Sequence, residues 1–420
     1  METINSSILS SYKTSLYRQI VFSIFERFQK GRIKLRMPEG DTVEMGDGQG
    51  VECQLDITSE NFFKHVVLNG DIGFGESYVM NYWDSPSVSR VIQWVVLNIE
   101  SVPGASGGDK GSIGFNLLNS VFRLKHKFKA NTYEGARRNI SYHYDLSNDF
   151  FSLFLDPSMT YSSAYFSEPN LSLELAQYEK YKMMAESLEI NSSDHVLEIG
   201  CGWGGFATYV AKNYGCKVTG ITISKEQLKY AQERIKREGL EHLIELKFCD
   251  YRDLTGQYDK VASVEMIEAV GHEFFKSYFS KIHQVLKPNG MACIQAITSP
   301  DARYEQFKNG TDWIQTYIFP GSLLPSIGEI NRIINKHTDM HLLNLKDFGI
   351  HYSKTLHLWF ERFNQNFEEI KKLGFDEEFK RKWNYYLQYC EAAFYMRNIS
   401  VVQLTYVRPN NLKLRREFTF

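Results

Sequence analysis

The run Val196-Leu-Glu-Ile-Gly-Cys-Gly-Trp-Gly-Gly-Phe206 carries an apolar strand pattern into a turn built on Gly200, Gly202 and Gly204. Glycines so spaced let the backbone turn sharply and approach a ligand closely, at the carboxyl edge where α/β sheets bind ligands. The spacing approximates the G-x-G-x-x-G pattern of dinucleotide sites, although the same glycines also suit a plain tight turn. A dinucleotide site calls for an acidic residue near the end of the second strand, to hold ribose hydroxyls. Here that strand ends Gly220-Ile-Thr-Ile-Ser224 and offers hydroxyls instead.

Further strand ends carry reactive side chains. Cys249-Asp-Tyr-Arg-Asp253 sets an acid beside an aromatic ring, so Asp250 can accept from an adenine amino group while Tyr251 covers the ring face. Val264-Glu-Met-Ile-Glu-Ala-Val-Gly-His272 ends a strand with two carboxylates and a histidine near one sheet edge. Glu268 is a candidate acid or base there, and a solvated loop glutamate is the plainer alternative.

These strand ends need a sheet to hold them. Residues 196–199, 217–223, 244–248, 260–264 and 291–297 read as strands, with helical period over 224–237 and 274–286. Such alternation predicts a largely parallel sheet covered on both faces. Ser224 followed by Gln227 predicts a capping box where the helix after the second strand begins. Residues 300–325 lack a period and hold Gly310, Gly321, Pro300, Pro320 and Pro325, which predicts a loop-rich lid over about 300–328. Strand pattern resumes at 342–345, and Phe379, Trp383, Tyr386, Leu387, Cys390 and Phe394 recur at helical steps, predicting long C-terminal helices with a core stripe.

Residues 1–100 mix an amphipathic helix at 16–28, a turn-rich acidic loop at 40–50 and strand-like pieces, and predict a small α+β domain. A Gly/Ser-rich stretch then places a flexible linker at 101–120. In Phe122-Arg-Leu-Lys-His-Lys-Phe-Lys129, Arg123, Lys125, Lys127 and Lys129 interleave with apolar residues, and Arg137 and Arg138 follow. The mixture suits an anionic lipid surface, where each basic residue is worth ~1 kcal/mol, and equally a solvated helix face.

With 420 residues, 43% hydrophobic and 23% charged, the chain has a core for two or three domains and is not disordered. Lys plus Arg is 48 against 50 for Asp plus Glu, which excludes a whole-protein electrostatic footprint for nucleic acid. Apolar stretches such as 91–99 fall short of the ~18 to 20 residues of a membrane span, and no signal peptide pattern opens the chain, so a soluble intracellular protein is expected. Cys53, Cys201, Cys216, Cys249, Cys293 and Cys390 are scattered singly, against a zinc site or disulfide scaffold, so no bound metal is expected. An aromatic content of 14% suits a site that receives apolar chains or organic cations.

Glu198-Ile-Gly-Cys-Gly, with the hydroxyl-bearing second strand, resembles the turn of S-adenosylmethionine-dependent methyltransferases. Tyr142-His-Tyr-Asp-Leu-Ser-Asn-Asp-Phe150, Met159-Thr-Tyr-Ser-Ser-Ala-Tyr-Phe166, Ile267-Glu-Ala-Val-Gly-His-Glu273 and Tyr317-Ile-Phe-Pro-Gly321 together resemble the cyclopropane-fatty-acid synthase family. Residues 33–83, including Gly73-Phe-Gly-Glu-Ser-Tyr78, are similar to that family's small lipid-engaging domain. The resemblance implies a Rossmann-like α/β class I methyltransferase with a mostly parallel seven-stranded sheet over 121–420. It implies methylene transfer from S-adenosylmethionine to a cis double bond of a phospholipid acyl chain, through a carbocation whose new methyl group loses a proton to bound bicarbonate. It also implies a homodimer in the cytoplasm, peripherally held on the inner face of the membrane.

Carried over residue by residue, the family's roles place Tyr161, Ser162 and Glu198 at the cofactor and Gly200, Gly202 and Gly204 at its amino acid end. Thr222 and Gln227 fall on its ribose side, and Asp250 and Tyr251 at the adenine. Glu268, Tyr352, Ser163, Gln295 and Ile297 form the bicarbonate and base set. Ser163 stands where a cysteine is common, Gln295 where a histidine is common, and Ala269 where a histidine often follows the glutamate. Gln295 and Ser163 can still donate hydrogen bonds to an anion.

Three other functions use parts of the same sequence. A methyl- or methylene-branched fatty acid would form if the same carbocation lost a chain proton. Small-amine methylation, as in coclaurine-type N-methyltransferases, would leave the N-terminal domain and basic segment without a use. A non-enzymatic lipid-binding module would leave the glycine turn without one.

Overall fold

The computed structural model describes residues 15–99 and 146–414. The linker expected at 101–120, the basic segment at 122–138 and the first part of 142–150 lie outside the described residues.

The chain forms two compact units. One comprises Met1–His126, Asn309–Ile318 and Gly374–Asn398; the other comprises Lys127–Lys308, Phe319–Leu373 and Ile399–Phe420. The first unit is therefore discontinuous, where the sequence reading drew one boundary near residue 100. The reason is local bonding: Arg381 Nε donates to the Tyr78 carbonyl at 2.7 Å, and the Ser89 amide donates to Gln388 Oε1 at 3.3 Å.

Within the first unit, strands β1 (Arg32–Arg36), β2 (Thr42–Met45), β3 (Glu52–Ile57) and β4 (Trp83–Asp84) lie in the order β2-β1-β3-β4. Strand β2 occupies part of the expected acidic loop, because Val43 and Met45 alternate with exposed Thr42 and Glu44 and set one buried face opposite β1. Helix Leu16–Phe25 is capped by Ser15 and buries Phe25 against the edge of the Trp94 ring, 5.3 Å between centroids. Gly75, in the Gly73-to-Tyr78 motif, has a packing reason: a Cβ there would fall 2.4 Å from the Trp313 ring. The same motif supplies the acceptors of the buried Trp83 indole, the Phe74 carbonyl at 3.0 Å and Ser77 Oγ at 3.1 Å. Residues 300–318, expected as loop, are largely helical, with Asp312 and Gln315 closing a capping box on Trp313–Tyr317.

The second unit is built on β5 (His195–Ile199), β6 (Lys217–Thr222), β7 (Ile244–Phe248), β8 (Tyr258–Val264), β9 (Leu286–Thr298), β10 (His341–Asp347) and β11 (Ser400–Val407). They form the expected seven-stranded sheet, in the order β10-β11-β9-β8-β5-β6-β7, parallel from β7 to β9 and antiparallel at β10 and β11. Strand β11 lies where the sequence reading placed only helices. Its run Val401-Val-Gln-Leu-Thr-Tyr-Val407 is β-branched and aromatic, and it pairs with β9 from Ser400 opposite Thr298 to Val407 opposite Met291.

Central strands buried on both faces feed two cores. Val196 and Ala262 pack into one cluster, while their neighbours Leu197 and Val261 pack into the other. The chain leaves β5 for β6 on one side and reaches β8 on the other, so the order reverses there and opens a crevice at the strand ends. The Ser224 hydroxyl accepts from the Gln227 amide as expected, but the box is only half made: Gln227 Oε1 accepts from the Thr222 hydroxyl at 3.0 Å. Among the described residues no helix is long and apolar enough to cross a membrane.

Candidate active site

A cavity opens at this strand edge, lined by residues from the ends of β5, β6 and β8, the segment after β7 and the stretch 159–162. Strand β5 runs into Gly200, Gly202 and Gly204 at φ of 83°, 50° and 81°, a backbone region that side chains disfavour. The Gly200 and Cys201 amides donate back to the Ile221 carbonyl at 3.0 and 2.9 Å, which pins the turn to β6. Gly200 and Gly202 line the cavity, whereas Gly204 caps the helix Gly205–Tyr214 behind it.

Thr222, Gln227, Asp250 and Tyr251, the residues expected at the ribose and adenine, also line the cavity. The Thr222 hydroxyl links the loop amide of Ser224 to the Gln227 side chain, fixing both polar groups. Asp250 is clamped by a residue that sequence reasoning passed over: Arg252 donates through Nε at 2.8 Å and through its terminal nitrogen at 2.7 Å. The clamp fixes the carboxylate plane.

Opposite, Tyr161 and Ser162 reach the cavity from the 159–162 stretch. The Tyr161 ring lies on Trp359, 5.2 Å between centroids and 29° from parallel, and meets the edge of Phe151 at 5.3 Å. Ser162 Oγ accepts from Lys180 Nζ at 2.8 Å. Lys180 is fully buried, and burial pulls its ammonium down to about 8 against the opposing pull of Glu265, Asp156 and Glu198. Glu198, buried at the end of β5, is pushed up to about 8 by its burial, and its Oε2 has no protein partner.

The five residues expected around bicarbonate do not gather on one empty point; they divide between two carboxylates. Glu265 takes three of them. Its Oε1 accepts from the Ser163 amide at 2.9 Å and from Gln295 Nε2 at 2.7 Å, and its Oε2 accepts from the Tyr352 hydroxyl at 2.7 Å. The other pairing is Glu268 Oε1 with the Ile297 amide. Glu268 is buried outside the cavity lining, its Oε2 without a protein partner among the described residues, and is pushed up to about 8 by burial and by the charge of Glu265. Glu265 itself lines the cavity and sits at φ 48°, a strained conformation for a glutamate and one concentrated at functional sites. Burial raises its carboxyl, while the Ser163 amide, Lys180, Tyr352 and Gln295 pull it back.

His272 does not join this edge. It turns away to the Tyr304 hydroxyl at 2.7 Å and to Glu329. Lys180, Glu265, Trp203 and Arg252, to which sequence reasoning gave no role, all line the cavity. Lys180 was findable, since Ala176, Gln177, Lys180, Tyr181 and Met184 repeat at helical steps on the buried face of Leu173–Ser187. Glu265 carried the signal of an acid at the very end of a buried strand.

A family model described as mycolic acid cyclopropane synthetase matches residues 131–404. The tuberculostearic acid methyltransferase of Mycobacterium tuberculosis is 40% identical over 353 residues, covering 82% of this chain and 81% of its own. The cyclopropane-fatty-acyl-phospholipid synthase of Escherichia coli is 38% identical over 367 residues, covering 87% and 91%. Among solved structures, the mycolic acid cyclopropane synthase CmaA1 complexed with SAH and CTAB superposes at a TM-score of 0.60 with 29% identity, over 64% of this chain and 97% of its own. The second unit thus has the class I S-adenosylmethionine-dependent methyltransferase fold, and the chain belongs to the mycolic acid cyclopropane synthetase family.

Proposed function

We propose that this protein transfers a methylene group from S-adenosylmethionine to a cis double bond in the acyl chain of a membrane phospholipid, forming a cyclopropane ring. The observation that carries the reading is the single cavity in which a left-handed glycine turn, a clamped Asp250, an aromatic wall and a carboxylate at a strand end meet. The residues fit a cationic nucleoside substrate: Gly200 and Gly202 leave room for its amino acid end, and Thr222 and Gln227 face its ribose. Asp250 and Tyr251 face its adenine, and Tyr161, Ser162 and the unpartnered Glu198 oxygen face its charged end.

The chemistry follows from placement. Held in line with the methyl group, the alkene π pair forms a bond to the methyl carbon as the sulfur–carbon bond breaks, and its electron pair stays on sulfur. The positive charge left on the chain lies beside aromatic rings, whose faces favour a cation. Closing the ring needs a base for one proton of the new methyl group. Bicarbonate, expected in that role, does not fit: the Ser163, Gln295 and Tyr352 donors are taken by Glu265, and a second anion would sit against that carboxylate.

A methyl- or methylene-branched product is the second reading, favoured by the relative named as a tuberculostearic acid methyltransferase. The first unit is read as the lipid-engaging part and the basic 122–138 segment as its contact with an anionic membrane surface; a homodimer bound peripherally on the cytoplasmic face completes the reading.

Purified protein supplied with methyl-labelled S-adenosylmethionine and vesicles of cis-unsaturated phospholipid, half of them anionic, tests all of this. Cyclopropane protons by NMR, with one labelled carbon per modified chain by mass spectrometry, are expected, together with co-sedimentation on anionic vesicles. A branched product moves the assignment to the second reading, and absence of any labelled lipid refutes both.

A further inference from the structure

We propose that the carboxylate of Glu265 is itself the base that closes the ring, standing in this protein where an external anion would otherwise be held. The inference rests on the reading of the function given above. Three donors from three separate parts of the chain, the Ser163 amide, the Gln295 side chain and the Tyr352 hydroxyl, point at one carboxylate at 2.7–2.9 Å. A carboxylate has about four acceptor positions, so three bonds hold its plane and leave one lone pair on Oε2, the oxygen that Tyr352 alone engages among the described residues.

Placement separates Glu265 from the neighbouring acids. It lines the cavity, whereas Glu268 does not and has its Oε1 committed to the Ile297 amide. Glu198 lines the cavity too, but at the end of β5 beside the glycine turn, where the nucleoside binds. The backbone at Glu265 is held left-handed at φ 48°, a sparsely populated conformation of the kind that clusters at functional sites. Of the ionisable groups facing it, Lys180 favours its ionised form, whereas the Glu268 carboxyl is itself raised to about 8 by burial and by the charge of Glu265.

The step balances without another reagent. After methyl transfer the chain carries one positive charge and S-adenosylhomocysteine is neutral. Glu265 Oε2 takes a proton from the new methyl group, the freed carbon–hydrogen pair forms the third side of the ring, and the proton passes from Glu265 to water before the next turnover. Gln295, Tyr352 and the Ser163 amide act through Glu265 and are positioning groups.

Ring formation by the wild-type protein is measured in buffer stripped of carbon dioxide and again with added bicarbonate; equal rates are expected. Glu265→Gln keeps the shape and removes the base, and is expected to lower ring formation by at least about a hundredfold while calorimetry shows S-adenosylmethionine binding retained. Glu265→Gly suits the left-handed backbone and leaves a space faced by the same three donors, so it is expected to be inactive in stripped buffer and restored by bicarbonate. A wild-type rate that collapses on stripping, or ring formation by Glu265→Gln at the wild-type rate, overturns the assignment while leaving the proposed function intact. Absence of any lipid product from the wild type removes the function, and the base with it.

Discussion

At the β5 edge, Gly200, Gly202 and Gly204 shape the cavity within a few residues of one another, and their partners on β6 are the next strand along. At the β8 edge, Glu265 is held by residues 102, 30 and 87 positions away in sequence. The first edge is made of backbone conformation and the second of converging side chains. A backbone-built edge is strained by an added Cβ, most where a neighbour already stands close, whereas a side-chain-built edge fails gradually, one donor or one charge at a time.

The largest effect on S-adenosylmethionine binding expected from breaking this contrast is at Gly200. An alanine there pays roughly 1–2 kcal/mol for the left-handed conformation, and its Cβ would stand 2.9 Å from Met266 Cγ. A turn that relaxes out of that region relieves the strain and carries its backbone away from the cavity. Gly200→Ala should therefore weaken S-adenosylmethionine binding by at least about tenfold, since 1.4 kcal/mol is a factor of ten. Gly202→Ala, where nothing lies within 4 Å of an added Cβ, should lose less. Titration calorimetry on both variants checks the order, and equal affinities for the two would contradict the packing argument.

The same contrast explains what could be read in advance. Glycine spacing, the apolar run of β5 and the hydroxyl ending of β6 are local, so the cavity edge was legible in the sequence. Asp250 was legible as an acid at a strand end, but its clamp was not, because bidentate geometry depends on how Arg252 folds back through the short turn. The division of Ser163, Gln295 and Tyr352 from Ile297 was hidden for a different reason. A resemblance can carry over which residues surround a point, but here Glu265 brings a side chain that already fills it. Strand β11 was hidden by its position after a long helix, and only its β-branched run hinted at it.

A medium effect is expected from removing the buried cation that the carboxylates share. Lys180→Met keeps the length and apolar stem but takes away the charge that favours ionised Glu265, Glu198 and Asp156. Each carboxyl then holds its proton to higher pH, because losing an opposite charge in a buried setting raises a carboxyl pKa. The acid limb of the kcat/KM profile for ring formation should move to higher pH by on the order of one unit. A variant that is merely misfolded would lose rate at every pH with the limb unmoved, and that outcome would assign Lys180 to packing alone.

The smallest effect should come from Glu268, and it should appear in stability rather than in chemistry. Its carboxyl is raised from 4.5 to about 8 in the folded chain, mainly by burial and then by Glu265, so the folded state holds a proton that the unfolded state releases. Stability is therefore fully present below about pH 4.5 and is lost as pH rises toward 8 and beyond. Glu268→Gln keeps an acceptor for the Ile297 amide and has no proton to lose, so its melting temperature should match the wild type near pH 5 and exceed it by a few degrees near pH 8 to 9. Glu198, raised to about 8 as well, keeps its own share of the slope in both proteins, so the difference between them isolates Glu268. Ring formation in this variant should persist, because the carboxylate lining the cavity is untouched; a ring-forming rate that falls as far as that of Glu265→Gln would place the proton transfer on Glu268 instead.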